Sequence, residues 1–425
     1  MVQCMNRQWT RTLSALSSLS ARHAAHRYHG RMNSPDTGPL PVIQLKIDRR
    51  SNHPWIFQKM VERPEPKPRP GTVVDIYDRA GVFAGRGFYN GHSRIALRVL
   101  TSDPDEAVDG NFFALKIAHA IDLRRGLLKL DDVTDAYRLI HSEGDGLSGL
   151  VVDRFANTLV IEYFSAGMFK QRDLIQRCLR EHYPDADIYS YAEEHVQKQE
   201  SFDFHAQTPP EPTVIHEHGV KFQAAPGSKH KTGFFVDQRD NREFLASLCE
   251  GKRVLDLCCN SGGFAITAKT IGGADEVVGV DLDEVILEIA EQNARLNKAN
   301  VRFVQADIFH WLRDSNLSKN GQFDVVILDP AKMTRDREQV IPALKKYLDM
   351  NKLAMGAVKP GGILLSCSCT GLVSEEQFLD MLRRAAFYAN RTVQILKVTG
   401  AGGDHPFMAH VPESRYLKSV FCRVD

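Results

Sequence analysis

The apolar residues of this chain fall into three regimes. Between Pro41 and about Ser102 they form short runs, Thr72 to Tyr77, Val82 to Phe88 and Arg94 to Leu100. The turn signals Asp78-Arg79-Ala80-Gly81 and Asn90-Gly91 separate them, which predicts a small β unit. A mixed regime follows. Phe112 to Leu127 and Lys170 to Glu181 predict helices, while Leu150 to Asp153, Thr158 to Phe164 and a run near Ile188 predict strands. In the third regime, Val254 to Leu257, Glu276 to Val280, Val301 to Gln305 and Phe323 to Leu328 predict buried strands. Glu284 to Asn297 lies between two of them. It sets Val285, Leu287, Ile289, Ala290, Ala294 and Leu296 against polar Glu288, Glu291, Gln292 and Arg295, a helical pattern. A helix from Gln339 to Val358, a turn at Lys359-Pro360-Gly361-Gly362 and a strand from Ile363 to Ser366 continue the alternation. Strands and helices alternating in this way predict an α/β fold, a parallel doubly wound sheet that binds ligands at its carboxyl edge.

A chain of 425 residues is too long for one ordinary domain. The pattern divides it into an extension (1–38), a small β-barrel (39–112), an α+β middle domain (113–205) and the α/β domain (206–425). His205 to Thr213, with three prolines, reads as an interdomain linker, and Pro64 to Gly71 as a stiff exposed loop. Residues 1–38 are rich in Arg, Ser, Ala and His, with no acid before Asp36, which fits a transit peptide. The same composition fits a start codon placed upstream of Met32, and the stretch is read here as a dispensable, disordered extension. The location expected is therefore cytoplasmic, or organellar if those residues are a transit peptide.

Charge changes this picture little. The 54 basic and 53 acidic residues nearly cancel, so any affinity for nucleic acid rests on local patches. No run approaches the ~18 apolar residues of a membrane span. The eight cysteines form no paired CxxC spacing, so neither a metal site nor a disulfide framework is expected.

The candidate chemistry begins at Lys252 to Phe264, where a strand meets a helix through small residues. Neither GxGxxG nor GxxxxGK[ST] is present there, which weakens a phosphate reading. Acids mark the strand ends instead: Asp256 on the first strand, Asp281 roughly 25 residues later, Asp307 after the third and Asp329 after the fourth. Asp281 is placed to take ribose hydroxyls and Asp307 to accept from an adenine amino group. Four carboxylates in register suit a cationic, hydroxyl-bearing ligand and point to S-adenosylmethionine. The candidate cofactor set is Gln238, Asp256, Asn260, Gly262, Phe264, Asp281, Leu282, Asp307 and Asp329. Phe234 and Phe235, beside Gly233, either shelter that ligand or pack the following helix.

The strand from Ile363 ends in Cys367-Ser368-Cys369-Thr370-Gly371, so a thiol faces the substrate side of the same edge. Carbon 5 of cytosine is not nucleophilic until a thiolate adds to carbon 6, and a carboxylate such as Asp329 near N3 stabilises the protonated adduct. Against this, a buried strand cysteine is usually inert. On the β unit, Arg49, Arg50, Arg86 and Arg94 interleave with Trp55. With Lys229 and Lys231, they form the candidate RNA contacts. A solvated basic face over a packed core explains the barrel residues equally well.

From about Val42 onward the chain resembles the bacterial 23S ribosomal RNA 5-methylcytosine methyltransferases that carry an N-terminal PUA domain. The resemblance rests on His53-Pro54-Trp55-Ile56-Phe57, on Arg138-Leu139-Ile140 through Leu147, and on Lys231 through Arg239. It continues with Val254 through Phe264, Asp329-Pro330, Ser368-Cys369 and Asp404-His405-Pro406. It implies a PUA-like barrel, a linking middle domain and a Rossmann-like methyltransferase domain. It further implies S-adenosylmethionine as cofactor, Cys369 as nucleophile with Asp329 and Lys332 beside it, and a 23S-type rRNA substrate free of or only partly bound by protein. A homodimer stays open. The family's usual Asp-Pro-Pro-Lys is Asp329-Pro330-Ala331-Lys332 here, and Cys258-Cys259 replaces its aromatic or small residues. Two other readings stand beside this one. A base N-methyltransferase on the same fold would leave Cys369 a bystander, and a non-catalytic RNA-binding assembly factor would carry a vestigial cofactor site.

Overall fold

The computed structural model describes residues 38–49, 51–205, 208–227, 233–314 and 322–425. Arg50, Lys229, Lys231 and the extension through residue 37 lie outside them.

Five strands form the first sheet: β1 (Val42–Gln44), β2 (Trp55–Phe57), β3 (Thr72–Tyr77), β4 (Phe83–Tyr89) and β5 (Ile95–Thr101), in the order β1-β3-β4-β5-β2. A bridge between Leu45 and Val61, just beyond the two edge strands, curls the sheet shut around Ile43, Ile56, Val74, Ile76 and Leu97. This is the small β unit that the short runs implied.

The middle unit opens with α1 (Gly110–Asp122), capped by Asp109, whose carboxylate accepts from the amides of Asn111 and Phe112. The expected helix continues to Leu127 in a wider form. One wider turn over Leu123–Leu127 carries Arg124 inward, where it is fully buried. A four-stranded sheet follows: β6 (Ala136–His141), β7 (Leu150–Phe155), β8 (Thr158–Tyr163) and β9 (Asp187–Tyr191). Three helices accompany it: α2 (Ala166–Lys170), α3 (Arg172–His182) and α4 (Glu194–Glu200). Barrel and middle unit share a core, since Phe88 and Leu100 of the barrel belong to the cluster around Phe113, Leu139 and Ile161. Gly167 allows that contact: a Cβ there would lie 2.1 Å from the Phe88 ring.

A hairpin, β10 (Thr213–Glu217) and β11 (Val220–Ala224), begins where the expected linker ends. It bridges to the middle unit through Thr134 and Glu217, and Phe222 packs with Phe234, Ile266 and Ala294 of the last domain.

That domain runs through α5 (Arg239–Ala246), β12 (Arg253–Leu257), α6 (Gly263–Thr270), β13 (Glu276–Asp281), α7 (Glu284–Leu296), β14 (Arg302–Gln305), α8 (Ile308–Asp314) and β15 (Phe323–Leu328). It ends with α9 (Val340–Ala357), β16 (Val358–Ser368), α10 (Glu375–Ala389), β17 (Val393–Thr399) and β18 (Lys418–Val424). The strand order is β14-β13-β12-β15-β16-β18-β17. The first five are parallel, as expected. The sheet as a whole is mixed, because β18 inserts antiparallel to β16 and pairs with β17. The turn expected at Lys359 to Gly362 is instead an irregularity inside β16, whose register against β15 shifts between Phe323 and Val325.

Candidate active site

The carboxyl edge of this sheet gathers most of the expected residues. At the end of β12 the backbone turns through left-handed conformations at Cys258, Asn260 and Gly262. Gly262 has no alternative: at φ 82° an added Cβ would also sit 2.9 Å from Ile266 and 3.2 Å from Phe303. The turn aims backbone amides at carboxylates. Asn260 N–H donates to Asp281 Oδ2 at 2.8 Å, and Ala265 N–H to Asp256 Oδ2 at 3.0 Å.

Asp256 is 1% exposed and its second oxygen, Oδ1, has no protein partner. Burial pushes its carboxyl well above the usual range, and neighbouring Asp329 and Asp281 add to the effect. Three carboxylates around one space create a demand for positive charge. The ammonium of S-adenosylmethionine would meet it, and the part-exposed Asp281 would suit a ribose diol. Leu282 follows, 66% exposed, an apolar surface for a flat base. Asp307 accepts from the amides of Phe309 and His310 and so caps α8, which commits Oδ1 to the helix. Phe264 is turned away: its ring lies in the core with Leu245, Val254 and Phe421. Phe234 stacks on Phe222 at 5.0 Å under the Arg242 guanidinium, so of its two readings packing is the one observed.

The two cysteines of β16 have opposite surroundings. Cys367 is fully buried in the core beside Ser419, and burial raises its thiol far above its ordinary value. Cys369 lies past the strand end, partly exposed, with its sulfur 3.9 Å from the Pro330 carbonyl. Asp329 sits at the neighbouring strand end and accepts from Gln238 Nε2 at 2.9 Å; Gln238 Oε1 in turn accepts from Asn241 at 2.6 Å. Lys332 is exposed on the loop that follows Pro330.

Residues that sequence reasoning passed over complete this corner. Tyr347 of α9 bonds with both Ser368 Oγ (3.0 Å) and Thr370 Oγ1 (2.9 Å), while Thr370 Oγ1 also accepts from Met333 N–H. Lys418, almost wholly buried, donates to the carbonyls of Thr370, Val373 and Tyr416. The one signal for it was a lone cation entering the apolar run of β18.

Comparison with known proteins bears on this arrangement. Residues 48–102 match the model of a PUA-like domain, and residues 186–396 that of an S-adenosylmethionine-dependent methyltransferase. The ribosomal RNA large subunit methyltransferase I of Aeromonas hydrophila is 43% identical over 380 residues, covering 87% of this chain and 95% of the relative. The chain belongs to the ribosomal RNA large subunit methyltransferase I family. Its members from Aliivibrio fischeri and Escherichia coli are each 39% identical over 95–96% of their length. The fold agrees with a candidate methyltransferase solved with S-adenosylhomocysteine, at TM-score 0.75 and 20% identity over 91% of this chain and 100% of the other. A second such structure, from Streptococcus mutans, gives 0.73.

The family's cofactor is thus S-adenosylmethionine, and the acids of the β12 and β13 ends fit it. The barrel residues stand apart. Trp55 donates its indole N–H to Glu143 at 2.8 Å, and Arg86 pairs with Asp75 at 2.7 Å. Arg49 is half-buried over the Ser51 and His53 carbonyls. Arg94 projects outward, exposed. Of these four, Arg94 alone is exposed.

Proposed function

We propose that this methyltransferase modifies carbon 5 of a cytidine in large-subunit ribosomal RNA, with Cys369 as nucleophile. The supporting observation is the contrast between the two thiols: the sheet buries Cys367 and delivers Cys369 to the edge that Asp329 and Pro330 also occupy. The family's relatives act, by name, on large-subunit rRNA.

Bound S-adenosylmethionine supplies an electrophilic methyl group at this edge. The protein's part is to create a carbon nucleophile and then dismantle it. The Cys369 thiolate bonds to carbon 6 and the ring electron pair moves onto carbon 5. N3 takes a proton from water as the adduct forms; Asp329, fixed by Gln238, accepts from that N3–H, and the proton returns to water as the thiolate leaves. After transfer the carbon-5 proton leaves to an oxygen base, Asp329 or water, because Ala331 stands where other enzymes of this chemistry place a second thiol. The carbon 5–carbon 6 double bond re-forms and the thiolate departs. This reading places the protein where rRNA is made: the cytoplasm, or an organelle if residues 1–38 address it there.

The test is nucleoside mass spectrometry on protein-free 23S-type rRNA lacking native modifications, incubated with labelled S-adenosylmethionine and wild-type or Cys369→Ala protein. Labelled 5-methylcytidine from the wild type alone is expected. Label on a purine, undiminished in the variant, would overturn the reading in favour of transfer to nitrogen.

A further inference from the structure

We infer that Lys418 is a positioning residue for the reaction, a fixed positive charge that holds Cys369 as a thiolate and pins the turn that carries it. The inference rests on the reading of Cys369 as nucleophile. Lys418 lies opposite Ser368 in the β16–β18 register, and its ammonium bonds the Thr370 carbonyl at 2.7 Å. Cys369 therefore sits between two residues that Lys418 grips.

The remaining N–H groups of Lys418 go to Val373 at 2.8 Å and Tyr416 at 2.9 Å, so all its donors end on carbonyl oxygens and none on a carboxylate. Such a cage solvates the ammonium without cancelling its charge. At 3% exposure that charge is not dispersed by water either, and the carbonyl it holds belongs to Thr370, the residue next to Cys369. Burial pulls the Lys418 ammonium down to about 8, with Arg415 and Lys332 adding to the fall. Cys369 and Glu375 act in the opposite sense. The other charged or titratable groups at this corner are few. Asp329 ends β15 beside the Pro330 that Cys369 touches, Tyr347 of α9 bonds the residues on either side of the cysteine, and the exposed Lys332 lies on the loop between β15 and α9. Glu375 of α10 is engaged by Arg415 at 2.8 Å. A carboxylate beside a thiol disfavours the thiolate, so a neighbouring cation is what makes nucleophile and carboxylate compatible within one site.

The test reads ionisation rather than turnover. Alkylation of Cys369 by iodoacetamide is followed peptide by peptide across pH in wild type, Lys418→Arg and Lys418→Gln. In Lys418→Gln the alkylation midpoint is expected to rise by about one pH unit, a roughly tenfold loss of reactivity at neutral pH; Lys418→Arg should stay near wild type. A uniform drop in reactivity with an unmoved midpoint would reduce Lys418 to a structural pin and overturn the inference. Should Lys418→Gln not fold, the reciprocal measurement applies, because coupling acts equally in both directions. The Lys418 titration, seen by NMR with lysine labelled at Cε, should shift to lower pH in Cys369→Ala, and an unchanged midpoint would again overturn the inference. Failure here is distinct from failure of the parent reading, which requires Cys369→Ala to retain methyl transfer.

Discussion

Gln238 and Asp329 are 91 residues apart, yet the amide of one donates to the carboxylate of the other at 2.9 Å. Gln238 precedes α5, Asp329 ends β15, and Asn241 fixes the orientation of the glutamine. A hydrogen bond to a charged group is worth about 1.5–3 kcal/mol. Gln238→Leu should therefore slow methyl transfer roughly 10- to 100-fold in single-turnover assays. Transfer at the wild-type rate would remove Gln238 from the site.

Asp256 carries an unsatisfied oxygen in a space ringed by carboxylates, so it costs stability until a cation arrives. Asp256→Asn should weaken binding of S-adenosylhomocysteine at least about tenfold, roughly 1.4 kcal/mol by calorimetry. The ligand-free variant should melt no lower than wild type. Unchanged affinity would mean that Asp256 only shapes the turn.

Glu217 and Arg242, 1% and 3% exposed, pair through two bonds of 2.6 Å and tie the β10–β11 hairpin to α5. Removing one member strands the other, at about 3–5 kcal/mol for a buried pair. Glu217→Ala should lower the thermal midpoint sharply and Glu217→Gln by less. Equal midpoints for the two variants would show that the charge is not what matters.

His141 stays neutral in the native chain. Burial, then His405, Arg138 and Arg124, hold it well below its ordinary value. The unfolded chain takes up a proton near pH 6.5 that the native chain refuses, so stability is full above that pH and falls beneath it, by at most about 1.4 kcal/mol per pH unit. Denaturation midpoints should decline between pH 6.5 and 5, and His141→Gln should flatten that decline.

How much of this was legible in the sequence depended on whether a residue's partners were local. The four parallel strands through β15, the helix from Glu284 and the acids at the strand ends announce themselves by periodicity and by position at a boundary. Hairpin β10–β11 does not, because its five-residue strands follow a proline-rich stretch that outweighed them. Strands β17 and β18 escaped for a related reason: β17 follows α10 but pairs only with β18, and β18 inserts antiparallel, which obeys no βαβ rule. At the site, Cys369 could be told from Cys367 by resemblance alone. The physical difference is a matter of two residues at a strand end, which no periodicity reports. Phe264 misled because the residue after a glycine turn is near the ligand in sequence while its ring points into the core.

The contacts between the three units carry a last consequence. Phe88 is sunk in the middle unit's core and Trp55 is bonded to Glu143. Arg124 of the middle unit grips the Asp404 carbonyl in the catalytic domain at 2.6 Å, while Asp404 itself pairs with Arg239. Among the described residues, then, barrel, middle unit and catalytic domain are tied by buried contacts. Such a molecule works as a surveyor's rod: an RNA qualifies only when its own folding fits the span the protein has already set.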